Sequence, residues 1–213
     1  MSNFLDFFQC FVCNAIKVKS IFDKDNNNHE AIVCTECNTH FPYHNEILRF
    51  VNRDNYSNNF GFEWKSHSQT QLDSFSKISL SRDRFFQVTG WPERLDGEFI
   101  LEAGCGSGRF TEILAKTNAN IISFDYSDAI EVNFQNNNKY KNISFFQGDI
   151  FNLPLKKNSF DKVFCFGVIQ HTPDPEEAIK NLIKYVKPNG KIAFDVYRKD
   201  FVALLQWKYL LRP

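Results

Sequence analysis

No sign of charge predominates in this chain, where 25 lysines and arginines face 25 aspartates and glutamates. It therefore has no long-range field to draw it to nucleic acid or an anionic membrane, which disfavours a polyanionic substrate. A run of about 18 apolar residues, the length of a membrane span, is missing. So is a basic start: MSNFLDFFQC places Asp6 inside its apolar stretch. A cytoplasmic protein with no transmembrane segment is expected. There is no internal repeat, which sets aside solenoids and propellers. The six cysteines are too unevenly placed for a disulfide framework, falling as two close pairs and two singletons. That pattern suits metal binding in a reducing compartment. With 213 residues, 43% of them hydrophobic, the chain can bury a full domain and a small second one.

From Glu98 onward short apolar runs alternate with helical patterns. Strands are predicted at FILEA, NIISFD, ISFFQGD, DKVFCFG and KIAFDVY, with helices near 108–117, 127–140, 175–187 and 200–211. The alternation predicts an α/β fold with a doubly wound, mostly parallel sheet, in which ligands sit beyond the carboxyl ends of the strands. Residues 1–52 form a small module with both cysteine pairs, and 98–213 form the core. Between them, 53–97 is a polar, aromatic-dotted connector or lid, predicted to hold one or two helices ended by Gly90 and Pro92. The asparagine runs at 26–28 and 136–138 read as surface loops.

Glycine is scarce, with nine residues, yet three fall at alternate positions in ILEAGCGSGRF, residues 100–110. A dinucleotide fingerprint would need a third glycine where Arg109 stands. A triphosphate loop would need lysine after Gly108, where the chain again has Arg109. What remains is Glu102, Gly104, Gly106 and Gly108, followed by acids at the ends of the next two strands, Asp125 in FDYS and Asp149 in QGDI. In this strand order, over residues 98–197, the pattern resembles the class I S-adenosylmethionine-dependent methyltransferases, with their Rossmann-like core. The resemblance implies a cofactor site. Glu102 and the turn Gly104, Cys105, Gly106 and Gly108 face the amino-acid moiety, and Asp125 takes the ribose hydroxyls. Tyr126 and Ser127 lie beside the adenine, and Gly148, Asp149 and Ile150 take its amine and ring. Phe166 and Gly167 line the methionine end. His171, the only histidine in the core, is the candidate general base, although a loop histidine supporting the pocket is the alternative. Cys105 and Cys165 read as small buried residues rather than nucleophiles.

Cys10-x-x-Cys13 and Cys34-x-x-Cys37 are separated by twenty residues, a spacing for a four-thiolate tetrahedral zinc site. The module resembles a zinc ribbon, and its Zn²⁺ is expected to be structural because four cysteines leave no open position. Its own core is too small to fold without the metal. Residues 1–53 hold five basic against six acidic side chains, so an RNA-binding face is not expected there. The stretch from ILRFV through YSNNFGFEWKSHSQTQLDS resembles zinc-ribbon methyltransferases of polysaccharide and specialised small-molecule pathways, with Tyr56, Phe60, Trp64 and Gln71 as lid candidates. The expected acceptor is a small molecule or glycan precursor. RNA methylation and a non-catalytic, cofactor-binding scaffold subunit are the rival readings. No Asn/Asp-Pro-Pro-Tyr segment follows the fourth core strand, so oxygen, nitrogen and carbon acceptors stay open. The chain ends on the helix carrying Phe201, Leu204, Leu205 and Leu210, without the family's final strands. A missing C-terminal part, or a homo-oligomer that completes the edge, is expected.

Overall fold

The computed structural model describes residues 4–22, 29–51 and 72–196. The chain opens with the single helical turn α1 (Phe4–Phe7), followed by β1 (Val18–Phe22), β2 (His29–Cys34), β3 (His40–His44) and β4 (Ile47–Arg49). Helices α2 (Asp73–Ser76) and α3 (Leu80–Thr89) lead to β5 (Phe99–Ala103), α4 (Thr111–Ala115), β6 (Asn120–Asp125), α5 (Ala129–Asn137) and β7 (Ile143–Gln147). The last described elements are β8 (Phe160–Cys165), a 3₁₀ turn (Ile169–His171), α6 (Pro175–Ile183) and β9 (Val186–Phe194).

Among the described residues nine strands form one mixed sheet in the order β1-β2-β3-β4-β7-β6-β5-β8-β9. The core strands β7, β6, β5, β8 and β9 are parallel, as the alternation of strand and helix predicts. Their sequences are apolar without alternation because both faces are covered, and the last four residues of β5 are all buried. The order reverses at β5, with β6 and β7 on one side and β8 and β9 on the other. That reversal opens a crevice beyond the strand ends. The cysteine module joins the same sheet: β1 to β4 are antiparallel neighbours, and β4 runs parallel to β7 with Leu48 opposite Phe146 and Arg49 opposite Gln147.

The core follows this continuity. Phe8, Ile32, Phe41 and Leu48 share one buried cluster with Leu101, Ile122, Phe124 and Phe146. On the other face α3 and α4 bring Phe85, Ile113 and Leu114 against Ile100, Ile121 and Phe164. Helix α3 ends where the sequence places a stop, with Gly90 at φ 61° and its N–H bonded to the Phe86 carbonyl.

Three expectations need adjusting. The first core helix is shorter than 108–117, because residues up to Phe110 serve the glycine turn. Strand β9 begins at Val186, five residues early, because a bulge lets Val186 pair with Phe160 before Lys191 pairs with Lys162. Asn136 and Asn137 lie on α5 rather than in a surface loop, and Asn137 is fully buried because its amide donates to the Gly108 carbonyl at 3.1 Å. The helix expected at 200–211 and the lid candidates Tyr56, Phe60, Trp64 and Gln71 lie outside the described residues. Among the described residues no helix is long and apolar enough to cross a membrane.

Candidate functional site at the carboxyl ends of the core strands

The three strand ends singled out in the sequence are hydrogen-bonded into one rim. Gly104 and Cys105 donate their N–H groups to the Phe124 carbonyl at 2.9 and 3.1 Å, which docks the glycine turn on the end of β6. Gly148 N–H donates to the Asp125 carbonyl at 3.0 Å, which ties in the end of β7. Asp125 itself organises the turn: Oδ2 accepts from Gly106 N–H at 2.9 Å, and Oδ1 from the Ser127 N–H and hydroxyl at 2.8 and 2.7 Å. Burial raises its carboxyl above the usual range against these bonds. Ser127 also accepts from Ala129 N–H at 3.2 Å, at the start of α5. Asp149 forms an Asx turn, with Oδ1 accepting from Phe151 N–H at 2.9 Å, and Ile150 is buried beside it.

Glu102 takes a different position from the other two acids, turning into the protein where it is 2% exposed. Its Oε2 accepts from the Thr111 hydroxyl at 2.6 Å and the Ser123 hydroxyl at 2.7 Å. Burial pushes its carboxyl up to about 7, with the two hydroxyls acting in the opposite direction. Asn133 completes this cluster, donating to Thr111 at 2.9 Å and Ser123 at 3.2 Å.

The glycines are needed for protein packing as well as for the turn. A Cβ on Gly104, at φ 71°, would stand 2.2 Å from Val168 Cγ2. On Gly108, at φ 91°, it would stand 2.1 Å from Asn133 Oδ1. Cys105 is a buried thiol whose pKa burial raises further, in keeping with a packing role.

On the far side of the crevice Phe166 is buried against Phe164 and Phe110, and Gly167 is exposed at φ 72° with open space where a side chain would go. Gly167 N–H donates to Asp195 Oδ1, and Asp195 Oδ2 pairs with Arg84 of α3 at 2.6 Å. His171 is exposed at the end of the 3₁₀ turn. Asp174 caps α6 by accepting from Glu177 N–H at 3.0 Å, with Pro175 as its first residue. Gln170, which precedes His171 in the 3₁₀ turn, has both amide atoms shielded from water without a hydrogen-bond partner, and the Ser107 hydroxyl is in the same condition. A separate cleft of about 320 Å³, lined by Asp73, Lys77, Arg82, Glu93 and Lys116, lies beyond the far end of α4 and does not include the glycine turn.

In the module, Cys10, Cys13, Cys34 and Cys37 place their sulfurs within 4.8 Å of one another. Cys10 and Cys37 are 3.7 Å apart, and Cys13 and Cys34 are 3.5 Å apart. Four thiolates at zinc's bond length of ~2.3 Å in a tetrahedron would be about 3.8 Å apart, so the donor set fits that ion. Each knuckle closes in the same way. Asn14 and Asn38, directly after Cys13 and Cys37, take φ of 63° and 58° and donate N–H to the carbonyls of Cys10 and Cys34. This repeat of Cys-Asn was available in the sequence. The Thr39 hydroxyl and N–H lower the Cys37 thiol to about 6.

Comparison with known proteins bears on the same region. A family model described as "Methyltransferase domain" matches residues 95–208. Ubiquinone biosynthesis O-methyltransferase of Coxiella burnetii is 34% identical over 113 residues, which are 52% of this chain and 48% of that protein. Phosphoethanolamine N-methyltransferase of Triticum aestivum is 30% identical over 142 residues, 62% of this chain and 28% of that protein. The chain thus spans less than half the length of these curated relatives. A chain of the solved complex between the Haloferax volcanii Trm112 methyltransferase activator and a putative methyltransferase superposes with a TM-score of 0.56 at 18% identity. It covers 70% of this chain and 65% of that one, a likeness of fold. The glycine turn, the acids at successive strand ends and the family match over residues 95–208 place this chain in the S-adenosylmethionine-dependent methyltransferase family.

Proposed function

We propose that this chain transfers a methyl group from S-adenosylmethionine to a small-molecule or glycan-precursor acceptor. The reading is carried by the hydrogen-bonded rim that gathers the glycine turn, Asp125 and Asp149 beyond β5, β6 and β7. When bound, the cofactor supplies an electrophilic methyl on sulfur. In this reading Asp125 accepts from the ribose hydroxyls, Tyr126 and Ser127 flank the nucleoside, and Asp149 with Gly148 and Ile150 meets the adenine. Gly104, Cys105, Gly106 and Gly108 offer backbone to the amino-acid end, and Glu102 holds that turn's supporting shell. Phe166 and Gly167 line the side where the acceptor approaches, and His171 is the candidate base for an acceptor proton. Placing the acceptor in line with the sulfonium supplies most of the acceleration in such a site, so a base is optional. Cys10, Cys13, Cys34 and Cys37 are proposed to hold a structural Zn²⁺.

A small acceptor is favoured because the two curated relatives carry names of small-molecule methyltransferases. The absence of a basic excess in residues 1–53 weighs against RNA. The test is mass spectrometry of metabolite and nucleotide-sugar pools incubated with the protein and methyl-labelled cofactor. Label in one small molecule is expected. Label in RNA alone would replace this reading, and cofactor binding with no label in any pool would favour a scaffold. Asp125→Ala is expected to weaken cofactor affinity ten- to a hundredfold, from the loss of charge-assisted hydrogen bonds of ~1.5–3 kcal/mol. Unchanged affinity by calorimetric titration would remove the ribose role.

A further inference from the structure

We infer that Arg49, on β4, the strand by which the cysteine module joins the core sheet, is a positioning residue for the nucleoside half of the cofactor site. The inference rests on the reading of Asp125 and Asp149 given above. Arg49 is 7% exposed, an unusual place for a guanidinium, and it spans three elements. Its Nη1 donates to Gln147 Oε1 at 2.9 Å. Its Nη2 donates to Glu131 Oε1 on α5 at 2.8 Å and to the His44 carbonyl at the end of β3 at 3.0 Å.

The consequence lies in Gln147. A guanidinium has donors and no acceptor, so the Gln147 amide must turn its oxygen to Arg49 and its NH₂ the other way. There Nε2 donates to the Tyr126 carbonyl at 3.0 Å and approaches Asp128 Oδ1 at 3.4 Å. Gln147, itself the residue before Gly148 and Asp149, thereby ties that segment to the loop after Asp125, the two segments that would hold adenine and ribose. Its main-chain carbonyl accepts from Phe50 N–H at 2.9 Å, which ties the end of β4 to β7 at this point. On α5, Glu131 also accepts from Asn45 of the β3–β4 turn at 3.3 Å, so the helix following the ribose loop is held from the module side too. Without Arg49 the amide loses the donor that holds its oxygen and is left fixed only by its NH₂ bonds to Tyr126 and Asp128, so the anchor shared by both loops is weakened.

The experiment measures S-adenosylhomocysteine affinity by calorimetry together with amide hydrogen exchange of the full chain. Arg49→Met should weaken binding at least tenfold and speed exchange at residues 126–131 and 147–150, with 99–103 as protected as in wild type. Arg49→Lys, which keeps the charge but not the fork, should recover only part of the affinity. Gln147→Met interrupts the same path while leaving the Arg49–Glu131 pair. It should weaken binding similarly, and combining it with Arg49→Met should add less than the product of the two effects. If Arg49→Met does not fold, Gln147→Met and Arg49→Lys carry the test. Folded variants that bind within twofold of wild type would overturn the inference alone. A wild-type chain that binds no S-adenosylhomocysteine would overturn the cofactor reading and this inference with it.

Discussion

Glu102 sits where water does not reach, and its carboxyl is pushed up to about 7 by burial. In an unfolded chain the same group titrates at pH ~4.3. Between these values the folded protein holds a proton that the unfolded chain has released, so stability falls as pH rises through this window and the loss is complete above about 7. The contribution amounts to about 3 kcal/mol. Glu102→Gln keeps an acceptor for the Thr111 and Ser123 hydroxyls and has no proton to lose. Its stability is therefore expected to be flatter than wild type from pH 5 to 7.5 and higher than wild type at the upper end, as read by urea midpoints across that range. Parallel pH profiles for the two proteins would show that Glu102 is already ionised in the fold.

The elements carry a second kind of constraint, in which one turn is fixed by the helix behind it. Gly108 adopts φ 91° directly against Asn133 and Asn137 of α5, both fully buried and hydrogen-bonded to each other at 2.8 Å. Gly108→Ala combines a strained backbone with an overlap that neither asparagine can relieve without breaking bonds to Thr111, Ser123 or the Gly108 carbonyl. The expected cost is about 3 kcal/mol or more. Gly97→Ala is the control, since Gly97 has φ 79° with nothing within 4 Å, and should cost about 1 kcal/mol. Equal denaturation midpoints for the two variants would remove the packing argument. The same helix shows how far the sequence could be read. FILEA and NIISFD coincide with β5 and β6 because strands buried on both faces are written as continuous apolar runs. The strand-end acids were visible because chemistry at such ends needs few residue types. Asn133 and Asn137 were not, because a polar residue buried by long-range hydrogen bonds leaves no periodic signal. Strand β4 was missed for a related reason: Ile-Leu-Arg is three residues long, and Arg49 reads as one more surface charge until its partners on β7 and α5 are known.

At the scale of the whole molecule, the cysteine module and the core are joined through the sheet and through side chains. Phe7 packs on Phe99 and Phe160 with ring centroids 4.9 and 5.1 Å apart, and Phe8 forms a bridge with Leu155. Phe41 contacts Phe50, which in turn meets Phe146 of β7. Cys10 and Cys34 are themselves members of the cluster that includes Leu101 and Phe124. The sequence, with its small and self-contained-looking module, leads to the expectation that Cys34→Ser would unfold residues 1–52 and spare the rest. The shared core leads to a different outcome. If the proposed zinc holds the four sulfurs, its loss releases the Cys34–Cys37 knuckle at which β2 ends and after which β3 begins, and the disturbance passes through β4 to β7, the strand that leads into Gly148 and Asp149. Structural zinc contributes on the order of 10 kcal/mol to small modules, and each kcal/mol shifts the melting temperature of a chain this size by roughly 2–4 °C. Even with only part of that lost, Cys34→Ser or removal of the metal by a chelator should lower the melting temperature by at least about 10 °C in one cooperative transition. Calorimetry showing two transitions, with the glycine-turn half melting at the wild-type temperature, would restore the picture of two independent units.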